Sequence, residues 1–243
     1  MRYFTKEWYN DSVVSEMCFA FRKTQKAAMF SDRFFEKLYA VEEKAYLKHC
    51  KRAAKFEKRK FDAEASRAEF ASNYEENLAF VKENLPEEIL SDIADLRVIA
   101  LGSVTYEMAD RITRYCGPLN NKCEAVKRRY EEATDYVAER MGGVIPPLFS
   151  ELIGAPVSTV SVTDGFAVIT TSHEYTGTAL RASLRNAEIT NCDDGVKGAT
   201  IIKYELLISE DGKIEFSILA SAEDSSLCEL TVIAESVEVE EIL

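Results

Sequence analysis

Histidine is the side chain most often used for proton transfer near neutral pH, and this chain has only two, His49 and His173. His173 stands beside Glu174 at the expected end of a strand. Neighbours on a strand point to opposite faces, so the pair reads first as an exposed loop dipeptide. His173, Glu174 and Glu205 are still the first candidates if the protein is a hydrolase or small-ligand binder with a site between its two halves. Metal chemistry has no visible support. There is no C-x-x-C, no H-E-x-x-H and no Glu-x-x-His pair of the di-iron kind. We therefore expect no metal and no cofactor. Asp193-Asp194-Gly195 and Glu210-Asp211-Gly212 lack the alternating oxygens of a calcium loop and read as turns. Leu101-Gly102-Ser103 reads as a helix end and cap rather than as an anion site.

A sharper pattern is cationic. Lys44, Lys48, Lys51, Arg52, Lys55, Lys58 and Arg59 recur every three or four residues, with Glu57 among them. On a helix they form one basic face about four turns long. Such a face is either solvated or a binding surface. The binding readings are an acidic partner, most simply the chain's own acidic second half, another acidic protein, or nucleic acid. Overall acidity argues against nucleic acid.

The elements that carry these residues change type near Met141-Gly142-Gly143-Val144-Ile145-Pro146-Pro147. No glycine or proline occurs from Met1 to Leu85, which predicts helix. One helix is expected from near Thr5, through Trp8, Val13, Met17 and Phe21. Ser31 caps a second, which runs past Phe56 as one rod or breaks near Asp62. A third spans Asp62 to Asn84, and Pro86 opens another as its first residue. Asp95 to Gly102 reads either as a short buried strand or as a helix stopped by Gly102, and the helix is preferred because both neighbours are helical. Ser103 then caps a helix closed by Gly117-Pro118, and Asn120-Asn121 starts the last, to Met141. After Pro147 the pattern is strand, with Asp-Gly pairs marking hairpins. Six strands are expected, at about 156–163, 166–172, 178–191, 199–209, 213–221 and 227–241. Ile202, Tyr204, Leu206 and Ile208 share one face of the fourth, and Ile214, Phe216 and Ile218 one face of the fifth. Lys203, Glu205, Ser209, Glu215 and Ser217 fall on the other face, which reads as wet.

The fold expected is α+β: an all-helical N-terminal half, residues 1–143, and an antiparallel β-sheet or half-barrel, residues 148–243. Charge divides with it. Residues 1–142 carry 25 Lys+Arg and 25 Asp+Glu, whereas residues 143–243 carry 5 and 17. Hydrophobic content of 47% and charged content of 30% are globular values. No apolar run approaches the ~20 residues of a membrane span, and Met1 to Trp8 has no apolar leader. Six scattered cysteines with no paired spacing suggest reduced thiols. A cytoplasmic protein follows from these readings.

The opening Arg2-Tyr3-Phe4-Thr5-Lys6-Glu7-Trp8-Tyr9 resembles the start of a bacterial family of unknown function, the domain of unknown function 4085 family (DUF4085). Asp92-Ile93-Ala94-Asp95-Leu96-Arg97 running into Ala100-Leu101-Gly102 resembles its mid-chain segment. Asn186-Ala187-Glu188-Ile189, Tyr204-Glu205 and Glu229-Leu230-Thr231 resemble its later strands. The likeness spans the chain, with two departures. Family members often carry a His-Asp pair where this chain has Ile153-Gly154, and a histidine where it has Ser217. The family has no assigned reaction, so the resemblance implies architecture and not chemistry.

The leading expectation is a non-enzymatic interaction module with a protein partner. Neutralisation of a basic toxin by the acidic half is one form of it, and a hydrolase or ligand-binding protein is the rival. A third reading is a dimerisation unit built on the long helix near residues 31–60.

Overall fold

The computed structural model describes residues 1–17, 21–172 and 179–242. Helices fill the first half and antiparallel sheets the second. The helices are α1 (Lys6–Glu16), α2 (Asp32–Phe56), α3 (Ala63–Asn84), α4 (Glu87–Leu90), α5 (Leu96–Ala100) and α6 (Tyr106–Arg140). Two short strands lie among them, β1 (Arg22–Lys23) and β2 (Ser103–Val104), paired in parallel. Then follow β3 (Val157–Thr163), β4 (Phe166–Ser172), β5 (Ala179–Arg185), β6 (Glu188–Cys192), β7 (Thr200–Ile208), β8 (Ile214–Ser221), β9 (Leu227–Ala234) and β10 (Ser236–Ile242). None of the described helices is long and apolar enough to cross a membrane. Two compact units arise. One is Val13–Asn120; the other joins Met1–Ser12 to Asn121–Leu243. Helices α1 and α6 therefore each contribute to both.

In the Val13–Asn120 unit, local chemistry sets the helix starts. Ser31 Oγ accepts the Phe34 N–H at 3.2 Å, and Asp62 Oδ1 accepts those of Glu64 and Ala65 at 3.0 Å each. Between these caps α2 stops at Phe56, so the long helix breaks before Asp62. Lys58 sits in the left-handed region at φ 56°. Helices α2 and α3 run antiparallel: Phe35 meets Tyr74, and Tyr46 meets Phe70. Val81, Leu85, Ile99, Met108, Ile112 and Cys116 form the buried core. Gly102, at φ 70°, ends α5 as expected.

Several expectations for this region are corrected. Ser103 is not a cap but part of β2, and Thr105 Oγ1 caps α6 by accepting the Met108 N–H at 3.1 Å. Pro86 precedes α4 as its cap residue. Gly117-Pro118 does not end a helix, because α6 runs through it for 35 residues. Pro118 is exposed, and so is Arg114, whose carbonyl loses its N–H partner to the proline. Gly117 lacks the Cβ that would clash with the proline ring. Met17 is buried and Phe21 half-buried, while the rest of that apolar patch, residues 18–20, lies outside the described residues.

In the other unit, two four-stranded antiparallel sheets, β10-β5-β4-β3 and β6-β9-β8-β7, share one core and neither closes on itself. Phe149, Ile169, Leu184, Leu206, Phe216 and Ile218 are fully buried in it. Among the described residues the strands here number eight, not six. The expected strand 178–191 bends at Asn186 (φ 48°) into β5 and β6, and 227–241 bends at Glu235 into β9 and β10. Each bend carries the chain from one sheet to the other, which lets both inner faces bury the same alternating apolar residues. Asp164 and Gly165, both at positive φ, make the two-residue β3–β4 hairpin. Asp194-Gly195 does not make a hairpin: it joins β6 to β7, the opposite edges of one sheet.

Candidate functional surfaces

The face of the second sheet that reads as wet is largely buried. Glu205 and Ser217 are fully buried, and Ser209, Glu215 and Thr231 nearly so. The cover is the chain's own N-terminal segment, which the alternation of polar residues could not reveal. Glu205 Oε1 accepts the backbone N–H groups of Tyr3 (2.8 Å) and Phe4 (2.5 Å), and Oε2 accepts that of Arg2 (2.8 Å). Three donors around one buried carboxylate replace the water it has lost. Behind it Ser217 and Thr231 exchange a hydroxyl hydrogen bond at 3.0 Å. The Arg2 guanidinium takes Glu215 in a fork, at 3.2 and 2.6 Å. Lys6 reaches Asp193 Oδ2 at 2.8 Å, and the Glu229 N–H donates to the same oxygen at 3.0 Å. This Lys6 contact holds the Asp193 carboxyl below its usual range, while Glu215 raises Arg2.

Aromatic rings complete the cover. Phe4 packs on Trp8 and edge-on to Tyr130, with centroids 4.7 Å apart in both pairs. Trp8 Nε1 donates to the Cys123 carbonyl at 3.3 Å. The Tyr130 hydroxyl accepts the Leu206 N–H at 3.1 Å, and burial pushes that phenol well above its ordinary range. Glu205 is therefore a clamp on residues 2–4, with both oxygens engaged. Of the three candidates for a catalytic site, His173 and Glu174 lie outside the described residues. His49 is exposed on α2. Among the described residues no three metal-ligating side chains converge. Of the cysteines, Cys116, Cys123 and Cys228 are buried, Cys50 is half-buried and Cys192 exposed; Cys18 lies outside the described residues.

The cationic stripe is a real surface with a different outline. Lys44, Lys48, Lys51, Arg52 and Lys55 lie on α2, whereas Lys58 and Arg59 follow its end; all seven are exposed. Arg59 pairs with Glu57. Among the described residues no carboxylate comes within 4.0 Å of the other six. Helical spacing extends the face back to Lys37 and Arg33, also exposed, for about 33 Å in all. Residues 22–60 carry thirteen Lys+Arg against five Asp+Glu, and residues 61–96 two against ten. Near Lys37 the face meets a recess of about 330 Å³, whose lining includes Arg22, Lys23, Lys26, Phe34 and Val41. Arg22 is held there by Glu42 at 2.6 Å and Ser103 at 3.1 Å. Phe56 is 90% exposed at the other end of α2. The extension was legible in the spacing of Arg33 and Lys37; the recess was not, because β1 and the turn after it are distant in sequence from Val41.

Comparison with family models, with curated proteins and with solved structures found no match.

Proposed function

We propose that the protein is a cytoplasmic binding module that holds an acidic protein partner on the basic face of α2. The observation that carries this reading is the set of six exposed cations with no carboxylate within 4.0 Å among the described residues, in a chain with 42 acids to 30 Lys+Arg. Acids elsewhere take up many of the chain's cations: Arg2, Lys6, Arg97, Arg111 and Lys122 are all paired. An unneutralised stripe amid excess acid favours a partner that supplies the missing charge. The apolar floor of the adjoining recess and the bare Phe56 ring add anchoring area that a purely solvated face lacks. A hydrolytic role would have to do without Glu205, whose oxygens are both taken. Membership of the DUF4085 family is proposed on the quoted motifs alone.

The test is comparative capture at 150 mM salt, using full-length protein and the quadruple variant Lys44→Glu, Lys48→Glu, Lys51→Glu, Lys55→Glu. An acidic protein retained by the parent and released by the variant, with unchanged circular dichroism, supports the reading. Identical capture by both refutes it. Retention of DNA or RNA at ~50 mM salt, lost in the variant, would replace the partner class.

A further inference from the structure

We propose that the outer edge of β10 is a strand-addition site for an extended peptide carrying Lys or Arg at alternate positions. The proposal stands apart from the α2 reading and uses other residues. Beside β10 lies a recess of about 500 Å³, lined by every residue from Glu235 to Glu240 together with Arg140, Met141, Pro146 and Ile214, and reaching Ser183 on β5, the register partner of Glu238. Successive strand residues point to opposite faces. A hollow over one face would touch alternate residues; one that touches all six runs along the strand's edge.

That edge is open. β10 pairs with β5 alone, at the end of its sheet. Among the described residues, Ser236–Ile242 makes no backbone hydrogen bond except to β5. The contrast with β7, another edge strand, is instructive. Its Leu206 N–H is met by Tyr130, and Ile201 exchanges backbone bonds with Gly154 and Ala155. One edge is covered by the chain; on the other, among the described residues, no backbone donor or acceptor finds a partner.

Charge selects the occupant. Glu238 and Glu240 stand exposed along β10, with Glu235 and Glu241 beside them. Arg185 and Arg181 on β5 answer them only in part, at 4.0 and 3.2 Å. A second copy of β10 in the recess would set glutamate against glutamate, which is unfavourable for directly opposed strand residues. A basic strand reverses that sign. Val237, buried, and Val239, partly buried, pack the inner face of β10 against the core. Six residues give a contact about 20 Å long, an ordinary strand length.

The experiment uses the full chain and fluorescence anisotropy at 150 mM salt. The probe is a fluorescein-labelled Lys-Thr-Lys-Val-Lys-Thr peptide. Two further versions are N-methylated at alternate amides, on one edge or on the other. Strand addition uses the N–H groups of one edge only. We expect the parent peptide to bind, one methylated version to lose at least tenfold and the other to stay within threefold. Glu238→Lys with Glu240→Lys should also cost at least tenfold, with circular dichroism unchanged. Equal binding of both methylated versions would mean charge attraction without pairing and would overturn the proposal. So would no binding of the parent peptide, or equal binding of its Glu-for-Lys analogue. None of these outcomes bears on capture by α2.

Discussion

Replacing Glu205 should detach the N-terminal segment from the sheet it covers. The carboxylate holds three backbone N–H groups and is fully buried. Hydrogen bonds to a charged group contribute about 1.5–3 kcal/mol each. In Glu205→Ala the Arg2 and Tyr3 amides regain water in part, whereas that of buried Phe4 does not. The expected loss is thus about 3–5 kcal/mol, less than the sum of three bonds. Glu205→Gln keeps one acceptor oxygen but turns an NH2 group towards a backbone donor, for a loss of about 1–3 kcal/mol. Trp8 is the only tryptophan and packs directly on Phe4, so its fluorescence follows the segment itself. With an m-value of about 2 kcal/mol/M in urea, the Trp8 midpoint should fall by about 1.5–2.5 M for the alanine variant and by about 0.5–1.5 M for glutamine. Exposed Glu223→Ala serves as the control. If Glu205→Ala fails to fold, the glutamine variant still decides. Midpoints within about 0.2 M of the control for both variants would refute the clamp.

Pro118→Ala should restore one helical hydrogen bond at an exposed position, raising stability by about 1–3 kcal/mol; a lower melting temperature would show that α6 needs its proline. Phe149→Ala removes a fully buried ring that meets Phe216 edge-on and Tyr204 at a tilt and should cost about 3–5 kcal/mol in denaturant titration. Two pH limits follow from Asp193 and Tyr130. Asp193 has a lowered folded pKa, so its contribution is present above the unfolded value of about 3.9 and is lost as pH falls through the folded one; Asp193→Asn should flatten the acid limb below about pH 4. Tyr130 has a raised folded pKa, so its contribution is complete below the unfolded value of about 10 and is lost as pH rises beyond it; Tyr130→Phe should flatten that alkaline limb. Melting curves across pH check both.

The succession of helices and strands was legible because it rests on local chemistry. Ser31, Asp62 and Gly102 act on the few residues beside them, and alternation names the apolar face from Tyr204 to Ile208 and from Ile214 to Ile218; at the start of β7 a bulge puts Ile201 in the core instead of the expected Ile202. The cationic stripe was legible for the same reason, since a helix brings every third or fourth residue to one side. Where local signals failed, a distant neighbour or solvent had decided. Gly117-Pro118 carries a stop signal, yet α6 continues through it with Arg114 and Pro118 both on an exposed side. Asp194-Gly195 has hairpin chemistry, but β6 finds its partner in β9. Glu205 looked like a solvent-facing carboxylate because alternation says which residues leave the core and not what covers them. Backbone amides carry no side-chain signature, so no pattern in Arg2-Tyr3-Phe4 announces three donors for a carboxylate some two hundred residues away. That pairing, and the open edge of β10, exist only once the chain has folded back on itself.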